Sequence, residues 1–208
     1  AIENIETEGK ITLLKNVVIS ANNSIEIPEE KKITLDINGK EIEIHKYEKA
    51  ILNDGELIIQ DNVADSTGKI FGYANNAIIY NEADKVVTIE SGKISYNQCG
   101  IDNQYADGII NNGILNIKNG KLETTDSYSN LINSNGTINY ENGTMTIKGK
   151  NANGINSNAT TNVNEGIINI NADNSNGIYN TGELSIKNGN LNAYNYGARC
   201  IENIGTAV

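Results

Sequence analysis

Residues 109–131 read IINNGILNIKNGKLETTDSYSNL, and the three following segments, 132–154, 155–177 and 178–200, repeat that pattern of residue types. Isoleucine opens each segment and the one after it, at Ile109, Ile132, Ile155, Ile178 and Ile201. Glycine or alanine recurs four residues later, at Gly113, Gly136, Ala159, Gly182 and Gly205. A fixed period of this size is typical of a solenoid, in which each repeat buries its apolar face against its neighbours.

Each repeat contains short apolar alternations broken by turn residues. Leu115 and Ile117 alternate with polar residues, the pair Asn119-Gly120 breaks the chain, and Leu122 and Thr124 alternate again. A period of two over a few residues predicts strands. We therefore predict an all-β, parallel β-helix with coils of about 23 residues and three short strands per coil. We predict a right-handed winding, since the six-residue step of hexapeptide β-helices is absent.

An antiparallel meander is the alternative, because Asn-Gly pairs are also the strongest short hairpin signal. A meander satisfies its pairing inside each repeat, and nothing in it requires the same residue type at one fixed spacing. Stacked strands lie ~4.8 Å apart, so a stack turns each register into a ladder of like residues. Asparagine suits the corners of such coils, where it tolerates turn conformations and stacked amides can bond one another. The stack is therefore favoured.

We predict one domain, residues 1–208, with three parts. Residues 1–8 form the remnant of a short N-terminal capping helix, because Ile2 and Ile5 lie three apart among polar residues. Residues 9–108 form irregular coils, and residues 109–208 form regular ones. The last residues repeat the register of an earlier strand, so we expect them to lie in a further coil of a longer parent protein.

The irregular coils carry extra residues. The anchors Ile51, Ile79 and Ile109 lie 28 and 30 residues apart, and the surplus falls in residues 61–68 and 97–107. Insertions in solenoids form loops on one face, which is often the binding face. These two loops are therefore candidate binding elements, although a loop without a function is the equally simple interpretation.

Three segments resemble a known family, the adhesin-like β-helix repeats of secreted Gram-positive surface proteins, which have the pectate-lyase-like fold. Residues 12–17 (TLLKNV) resemble its strand TLLKDV, residues 33–42 (ITLDINGKEI) resemble ITLDLNGKTI, and residues 77–81 (AIIYN) resemble AIYNN. The sequence EADK at 82–85 departs from the family's Asn-Gly turn. The resemblance implies a surface-exposed scaffold and leaves the ligand open.

Composition excludes several classes of partner. The formal charge is −10 and the isoelectric point is near 4.6, whereas nucleic-acid binding depends on Lys and Arg that neutralise phosphates. Insertion into a membrane is not expected, because no run approaches the ~20 apolar residues of a spanning helix. We expect a secreted or cell-surface protein without nucleic-acid partners.

Tyrosine supplies the candidate binding residues. Tyrosine often stands four residues before an anchor isoleucine, which would bring Tyr105 and Tyr128 to adjacent coils. Aromatic rings beside asparagine amides are what a sugar-binding surface uses, although tyrosines on a sheet often only cover their neighbours. The candidate set is Tyr47, Tyr96, Tyr105, Tyr128, Tyr194 and Tyr196.

Catalytic chemistry has little support in the sequence. The same fold serves polysaccharide lyases and hydrolases, which need clustered acidic and basic groups. His45 and Arg199 lie about six coils apart, or ~29 Å at ~4.8 Å per coil, and cannot share a site. We therefore expect no catalytic residue, cofactor or metal. Asp61 and Asp65 are possible Ca²⁺ ligands, but their spacing matches no defined loop, and a solvated turn is the favoured interpretation.

Two further expectations concern function and the thiols. The chain is interpreted as a non-catalytic adhesin segment that binds a host or microbial glycan or surface protein through its loops and a Tyr/Asn face. A structural stalk is the first alternative, and a polysaccharide lyase or hydrolase is the second. Cys99 and Cys200 lie about four coils apart, ~19 Å, whereas a disulfide needs Cα atoms within ~7 Å. Both are therefore predicted to be free.

Overall fold

The computed structural model describes residues 1–20, 23–46, 48–74, 76–97 and 106–208. These residues form three parallel sheets of nine, eight and eight strands. Consecutive strands belong to different sheets, so each set of three strands completes one coil, and strand n pairs with strand n+3 in the next coil. The predicted all-β parallel solenoid with three strands per coil is confirmed.

The strands are numbered in chain order and grouped here by sheet. Sheet A contains β1 (Glu8–Thr12), β4 (Lys32–Asp36), β7 (Glu56–Gln60), β10 (Val86–Ile89), β13 (Ile114–Ile117), β16 (Thr137–Tyr140), β19 (Thr160–Val163), β22 (Glu183–Ile186) and β25 (Thr206–Ala207). Sheet B contains β2 (Val17–Ile19), β5 (Glu41–Lys46), β8 (Lys69–Ala74), β11 (Lys93–Tyr96), β14 (Gly120–Thr124), β17 (Gly143–Ile147), β20 (Ile167–Ile170) and β23 (Asn190–Ala193). Sheet C contains β3 (Ile25–Ile27), β6 (Ile51–Asn53), β9 (Ala77–Asn81), β12 (Asp107–Asn111), β15 (Asn130–Ser134), β18 (Asn153–Ser157), β21 (Asn176–Asn180) and β24 (Arg199–Asn203).

The anchor isoleucines form one ladder along sheet C. Each ladder isoleucine pairs with its counterpart on the next coil. The six from Ile51 to Ile178 are buried in the core, and Ile25 and Ile201 extend the ladder at its two ends. The ladder members are Ile25, Ile51, Ile79, Ile109, Ile132, Ile155, Ile178 and Ile201. The 23-residue register is therefore confirmed, and so is the wider spacing of the earlier anchors.

The recurring glycine four residues after each anchor is explained by close stacking at the coil corner. A Cβ atom on Gly136 would lie 2.1 Å from the carbonyl oxygen of Gly113, and one on Gly182 would lie 2.2 Å from that of Ala159. Such distances are far below van der Waals contact, so this corner accepts a side chain only with a shift of the backbone. The register therefore reflects packing of backbone on backbone.

The predicted N-terminal helix is wrong in kind. In place of an α-helix the structure has a 3-10 turn at Ile2–Asn4, and β1 already begins at Glu8. Ile2 and Ile5 nevertheless pack against the core. A spacing of three residues fits the three residues per turn of a 3-10 helix as well as an α-helix, which is why the pattern did not separate them.

The C-terminal residues continue the stack. Thr206 pairs with Glu183 and Ala207 with Leu184, so β25 lies in the predicted register on sheet A. Cys200 is a free thiol, and Cys99 lies outside the described residues.

An inner ladder of polar side chains runs through the aliphatic core at the end of the sheet C strands. Its members are buried, and they are Asn53, Asn81, Asn111, Ser134, Ser157 and Asn180. Asn53 donates to Asn81 Oδ1 and Asn81 to Asn111 Oδ1, both at 2.8 Å. Their amide nitrogens also lie within hydrogen-bond distance of backbone carbonyls, for example Asn81 Nδ2 with Lys85 O at 3.0 Å. The inner ladder therefore adds side-chain hydrogen bonds to corner carbonyls that also pair with the next coil, since Lys85 O accepts from Ile114 N at 2.8 Å as well.

Candidate functional site: the amide face

The outer surface of sheet C carries the largest regular array of polar side chains. Strands β15, β18 and β21 read NLINS, NGINS and NGIYN and contain no charged residue. Asparagines at the start, in the middle and just after the end of the strands form three rows across the coils. We call this surface the amide face, which consists of Asn112, Asn130, Asn133, Asn135, Asn153, Asn156, Asn158, Asn176 and Tyr179.

The first row is a continuous chain of amides. Asn176 Nδ2 donates to Asn153 Oδ1 at 3.0 Å, and Asn153 Nδ2 donates to Asn130 Oδ1 at 2.9 Å. Strand pairing aligns the three residues on successive coils. The parallel stack thus holds their side chains one above another, all pointing the same way.

The other two rows run beside the first. In the second row Asn156 Nδ2 lies 3.4 Å from Asn133 Oδ1, and Tyr179 occupies the same register on the next coil. In the third row the amide nitrogens of Asn158 and Asn135 donate to the preceding asparagine at 2.7 and 2.8 Å. The rows therefore place half-buried and exposed amides on a surface that ends in an aromatic ring.

Asp107 begins two of these rows. Its carboxylate is 7% exposed and accepts from Asn130 Nδ2 at 2.8 Å and from Asn133 Nδ2 at 2.7 Å. Burial raises the pKa of the Asp107 carboxyl above its usual range, although the hydrogen bonds from Asn133 and Asn130 oppose that shift. An ionised carboxylate only accepts hydrogen bonds. Asp107 therefore directs the amide nitrogens of both rows toward the N-terminal end of the solenoid.

Charged groups border the amide face at both ends. At one end Lys49 Nζ lies 3.2 Å from the ring centroid of Tyr80 and 3.4 Å from Glu82 Oε1. At the other end Arg199 and Glu202 form an ion pair at 2.9 Å. Tyr80 is therefore already covered by an ammonium group, and Tyr179 is the aromatic ring that belongs to the uncharged area.

The amide face can bind a partner through the hydrogen-bond donors and acceptors that its own rows do not use. A primary amide has two N–H groups and an oxygen with two lone pairs. A member such as Asn153 uses one N–H and one lone pair within its row. The remaining donors and acceptors recur every ~4.8 Å along the solenoid. This arrangement suits a partner with regularly spaced hydroxyl groups.

The predicted tyrosines do not form one surface. Tyr96 is completely buried in the core, because it lies two residues after the inward-facing Ile94 and so points the same way. Burial and the nearby Asp126 and Asp107 carboxylates raise its pKa. Tyr47 and Tyr105 lie outside the described residues, so the expected contact of Tyr105 with Tyr128 is not described.

The three remaining tyrosines lie at the corner between sheets B and C. Tyr128 is 61% exposed, Tyr194 67% and Tyr196 86%. Tyr128 has a positive φ of 62°, the conformation that Asn151 and Asn174 adopt at the same corner of the following coils. Tyr128 and Tyr196 are thus separated by three coils, ~14 Å, and the corner between them is lined by asparagine.

The predicted hydrogen bonding between stacked asparagine amides is confirmed, whereas Tyr179, Tyr80 and the position of the asparagine rows within the sheet C strands were not predicted. These outward-facing residues could have been predicted from strand alternation. The residue after each anchor isoleucine must face outward, because the anchor faces inward. That position holds Tyr80, Ile110, Asn133, Asn156 and Tyr179 on successive coils. The tyrosine pattern four residues before the anchor instead marked a turn.

The first insertion, residues 61–68, is a largely exposed loop that is tethered at Asp61. Asp61 is 4% exposed, and its carboxylate accepts from the backbone nitrogens of Gly39 at 2.7 Å and Gly68 at 2.6 Å. Both oxygens of Asp61 are occupied, so the prediction of a solvated side chain is wrong for Asp61, whereas Asp65 is exposed as expected. Asp65 lines an open groove of about 250 Å³ beside Lys121. The second insertion lies mostly outside the described residues.

The candidate catalytic groups are well separated. His45 is in β5 and Arg199 in β24, six coils apart. His45 Nε2 lies 2.8 Å from Glu43 Oε1, and its ring packs edge-on against Tyr73. In the described residues no group of three His, Cys, Asp or Glu side chains is placed to hold a metal ion.

Comparison with known proteins gives no match: no protein-family model fits the chain, and no curated protein or solved structure is significantly similar to it. In the described part of the chain no helix has the length and apolar character needed to span a membrane.

Proposed function

We propose that this β-solenoid is a non-catalytic, extracellular binding module that holds a neutral glycan chain along its amide face. The observation that carries the proposal is the set of three parallel asparagine rows that ends at Tyr179. Amides bond sugar hydroxyls as donors and acceptors, and an aromatic ring packs against the apolar face of a sugar.

Charge favours a neutral ligand. The chain carries a formal charge of −10, which repels uronic acids and sulfated sugars over the whole surface. The strands of the amide face from β15 to β21 contain no Lys or Arg that could attract them. A polymer aligned with the solenoid axis would meet equivalent amides on successive coils, so many weak hydrogen bonds would add together.

An adhesin role at a bacterial surface is the wider setting of this proposal. It is supported by the resemblance of residues 12–17, 33–42 and 77–81 to adhesin-like repeats. A stalk that only extends another domain remains the competing function, because the continuous isoleucine ladder would serve both purposes.

The test is binding of the purified protein to insoluble cellulose, chitin and starch, with polygalacturonate as the charged comparison. We expect binding to at least one neutral polymer and none to polygalacturonate. Replacing Asn133 and Asn156 by Ala, or Tyr179 by Ala, should weaken binding at least about tenfold, or about 1.4 kcal/mol.

Sheet A supplies a matched control. Asn139 donates to Asn116 at 2.9 Å and Asn162 donates to Asn139 at 3.0 Å, so this sheet carries a similar but single ladder. The double variant Asn139→Ala, Asn162→Ala should retain full binding. Equal loss in both double variants would contradict the amide face as the site, and absence of binding to all polymers would favour the stalk.

A further inference from the structure

The corner between β16 and β17 contains an asparagine whose side chain is held against the next backbone nitrogen. Gly143 N donates to Asn142 Oδ1 at 2.8 Å, and Asn142 is exposed. Gly143 has a φ of 115°, a conformation that glycine adopts without strain. It also lines the open groove beside Lys121, so water reaches the turn.

We propose that Asn142 is a site of spontaneous deamidation through a cyclic imide. The Gly143 nitrogen loses its proton to hydroxide and attacks Asn142 Cγ, forming a C–N bond that closes a five-membered ring. The Cγ–Nδ2 bond breaks, and the nitrogen leaves as ammonia after protonation by water. Water then opens the ring at either carbonyl and gives aspartate or isoaspartate. No oxidation occurs, and water is the only co-reactant.

The geometry of the turn provides the proximity that this reaction needs. A hydrogen bond from Gly143 N to Oδ1 keeps the nitrogen beside the Cγ atom that it attacks, and intramolecular placement of this kind accelerates a reaction strongly. Glycine has no side chain to obstruct the approach. Among the described residues, Gly143 is the only glycine whose nitrogen donates to the asparagine side chain preceding it.

Other Asn-Gly pairs in the chain are held differently. Gly39 N, after Asn38, donates to the Asp61 carboxylate at 2.7 Å. Gly136 N, after Asn135, donates to the carbonyl of Asn111 at 3.2 Å. In both pairs the attacking nitrogen is occupied by another acceptor, so these asparagines should react slowly.

Deamidation would matter for this coil. An aspartate or isoaspartate at 142 would add a negative charge next to Glu141, and isoaspartate would add one carbon to the main chain before β17. Gly143 stacks closely on Gly120, since a Cβ atom on Gly143 would lie 2.5 Å from Gly120 O. A longer main chain there would displace the start of β17.

The experiment is a time course of the intact protein in mildly alkaline buffer, with peptide mapping by mass spectrometry and enzymatic labelling of isoaspartate. Asn119 and Asn188 are the internal comparisons, because they precede glycine at the same corner of nearby coils and are exposed. We expect Asn142 to react at least about tenfold faster than either. Asn142→Gln should remove the fast phase, since glutamine would have to form a larger ring.

A parallel time course in concentrated urea separates structure from local sequence. In the unfolded chain the three Asn-Gly pairs should react at similar rates. Equal rates in the folded protein would overturn the proposal. A preference for Asn142 that persists unchanged in urea would also overturn it, because the preference would then come from neighbouring residues and not from the turn.

Discussion

The inner ladder and the rows of the amide face use the same side chain at the same coil spacing, but their surroundings differ. Asn81 in the inner ladder is fully buried, and it is bonded to Asn111 and to the carbonyl of Lys85. Asn153 on the amide face is bonded on both sides and still borders solvent. When a buried amide loses a hydrogen-bond partner, no water molecule can replace it, whereas water can replace the lost partner of an outer amide. The inner ladder therefore contributes to the stability of the fold, whereas the outer rows keep amide groups in contact with solvent.

One isosteric Asn→Asp change in each kind of ladder should show the largest difference between them. Asn111→Asp removes the donor to Ser134 Oγ at 3.0 Å and to Thr137 O at 3.1 Å, and it buries an unpaired carboxylate. We expect a loss of roughly 3–5 kcal/mol in the free energy of unfolding.

The matched change is Asn158→Asp on the exposed third row, which should cost less than about 1 kcal/mol. Urea unfolding of both variants measures the difference. Similar costs would mean that burial does not separate the two kinds of ladder.

The apolar part of the core provides the next largest effect. Ile155 is fully buried between Ile132 and Ile178, so Ile155→Ala should cost roughly 2–5 kcal/mol through lost burial and a cavity. Ile167 is 39% exposed, and Ile167→Ala is the control with the same change of volume. Thermal melting should show a clearly larger shift for Ile155→Ala, and equal shifts would contradict the assigned register.

A gain of stability should be possible where serine interrupts the inner ladder. Asn180 Oδ1 is buried and has no hydrogen-bond partner, and Ser157 is its neighbour in register. Ser157→Asn would supply an amide donor of the kind that Asn53 gives to Asn81, with an expected gain of roughly 0.5–1.5 kcal/mol. Urea unfolding measures this gain. The control is Ser185→Asn on the outer side of sheet A, which should not raise the free energy of unfolding.

The smallest expected effect is a pH dependence at the start of the outer rows. The pKa of Asp107 is raised in the folded state, so the folded protein binds this proton more tightly than the unfolded chain. The contribution of Asp107 to stability should therefore fall as pH rises from about 4, its unfolded value, through the folded pKa. The difference in unfolding free energy between the wild type and Asp107→Asn measures it.

The pKa of Asp36 is shifted in the opposite direction to that of Asp107, so its pH dependence should have the opposite sign. Burial alone would raise its pKa, but hydrogen bonds from Lys10, Asn62 and Gln60 and the charge of Lys10 lower it overall. Its contribution should be present above pH ~4 and fall as pH decreases through the folded pKa. Difference curves of the same sign for Asp36→Asn and Asp107→Asn would show that the environment of Asp107 is not as described.

Much of the fold was predictable because stacking repeats the same contacts. Each anchor isoleucine meets another isoleucine, so its period in the sequence is the period of the structure. The candidate site was harder to predict, since the tyrosine pattern was given more weight than strand alternation. Alternation from Ile94 would have placed Tyr96 in the core, and alternation from Ile178 would have placed Tyr179 outside. The two hydrogen bonds that Asp61 accepts from Gly39 and Gly68 were not predictable, because these residues come close to Asp61 only in the folded chain.

The direction of the strand hydrogen bonds has a mechanical consequence. These bonds connect one coil to the next, so they lie along the solenoid axis. A force that pulls the two ends apart along this axis would load only the outermost coil at any moment and would peel coils away in sequence. Each regular coil of 23 residues, as from Ile132 to Ile155, would release a contour length of about 80 Å at ~3.5 Å per residue. Stretching a single molecule should therefore produce a series of small, evenly spaced extensions at low force.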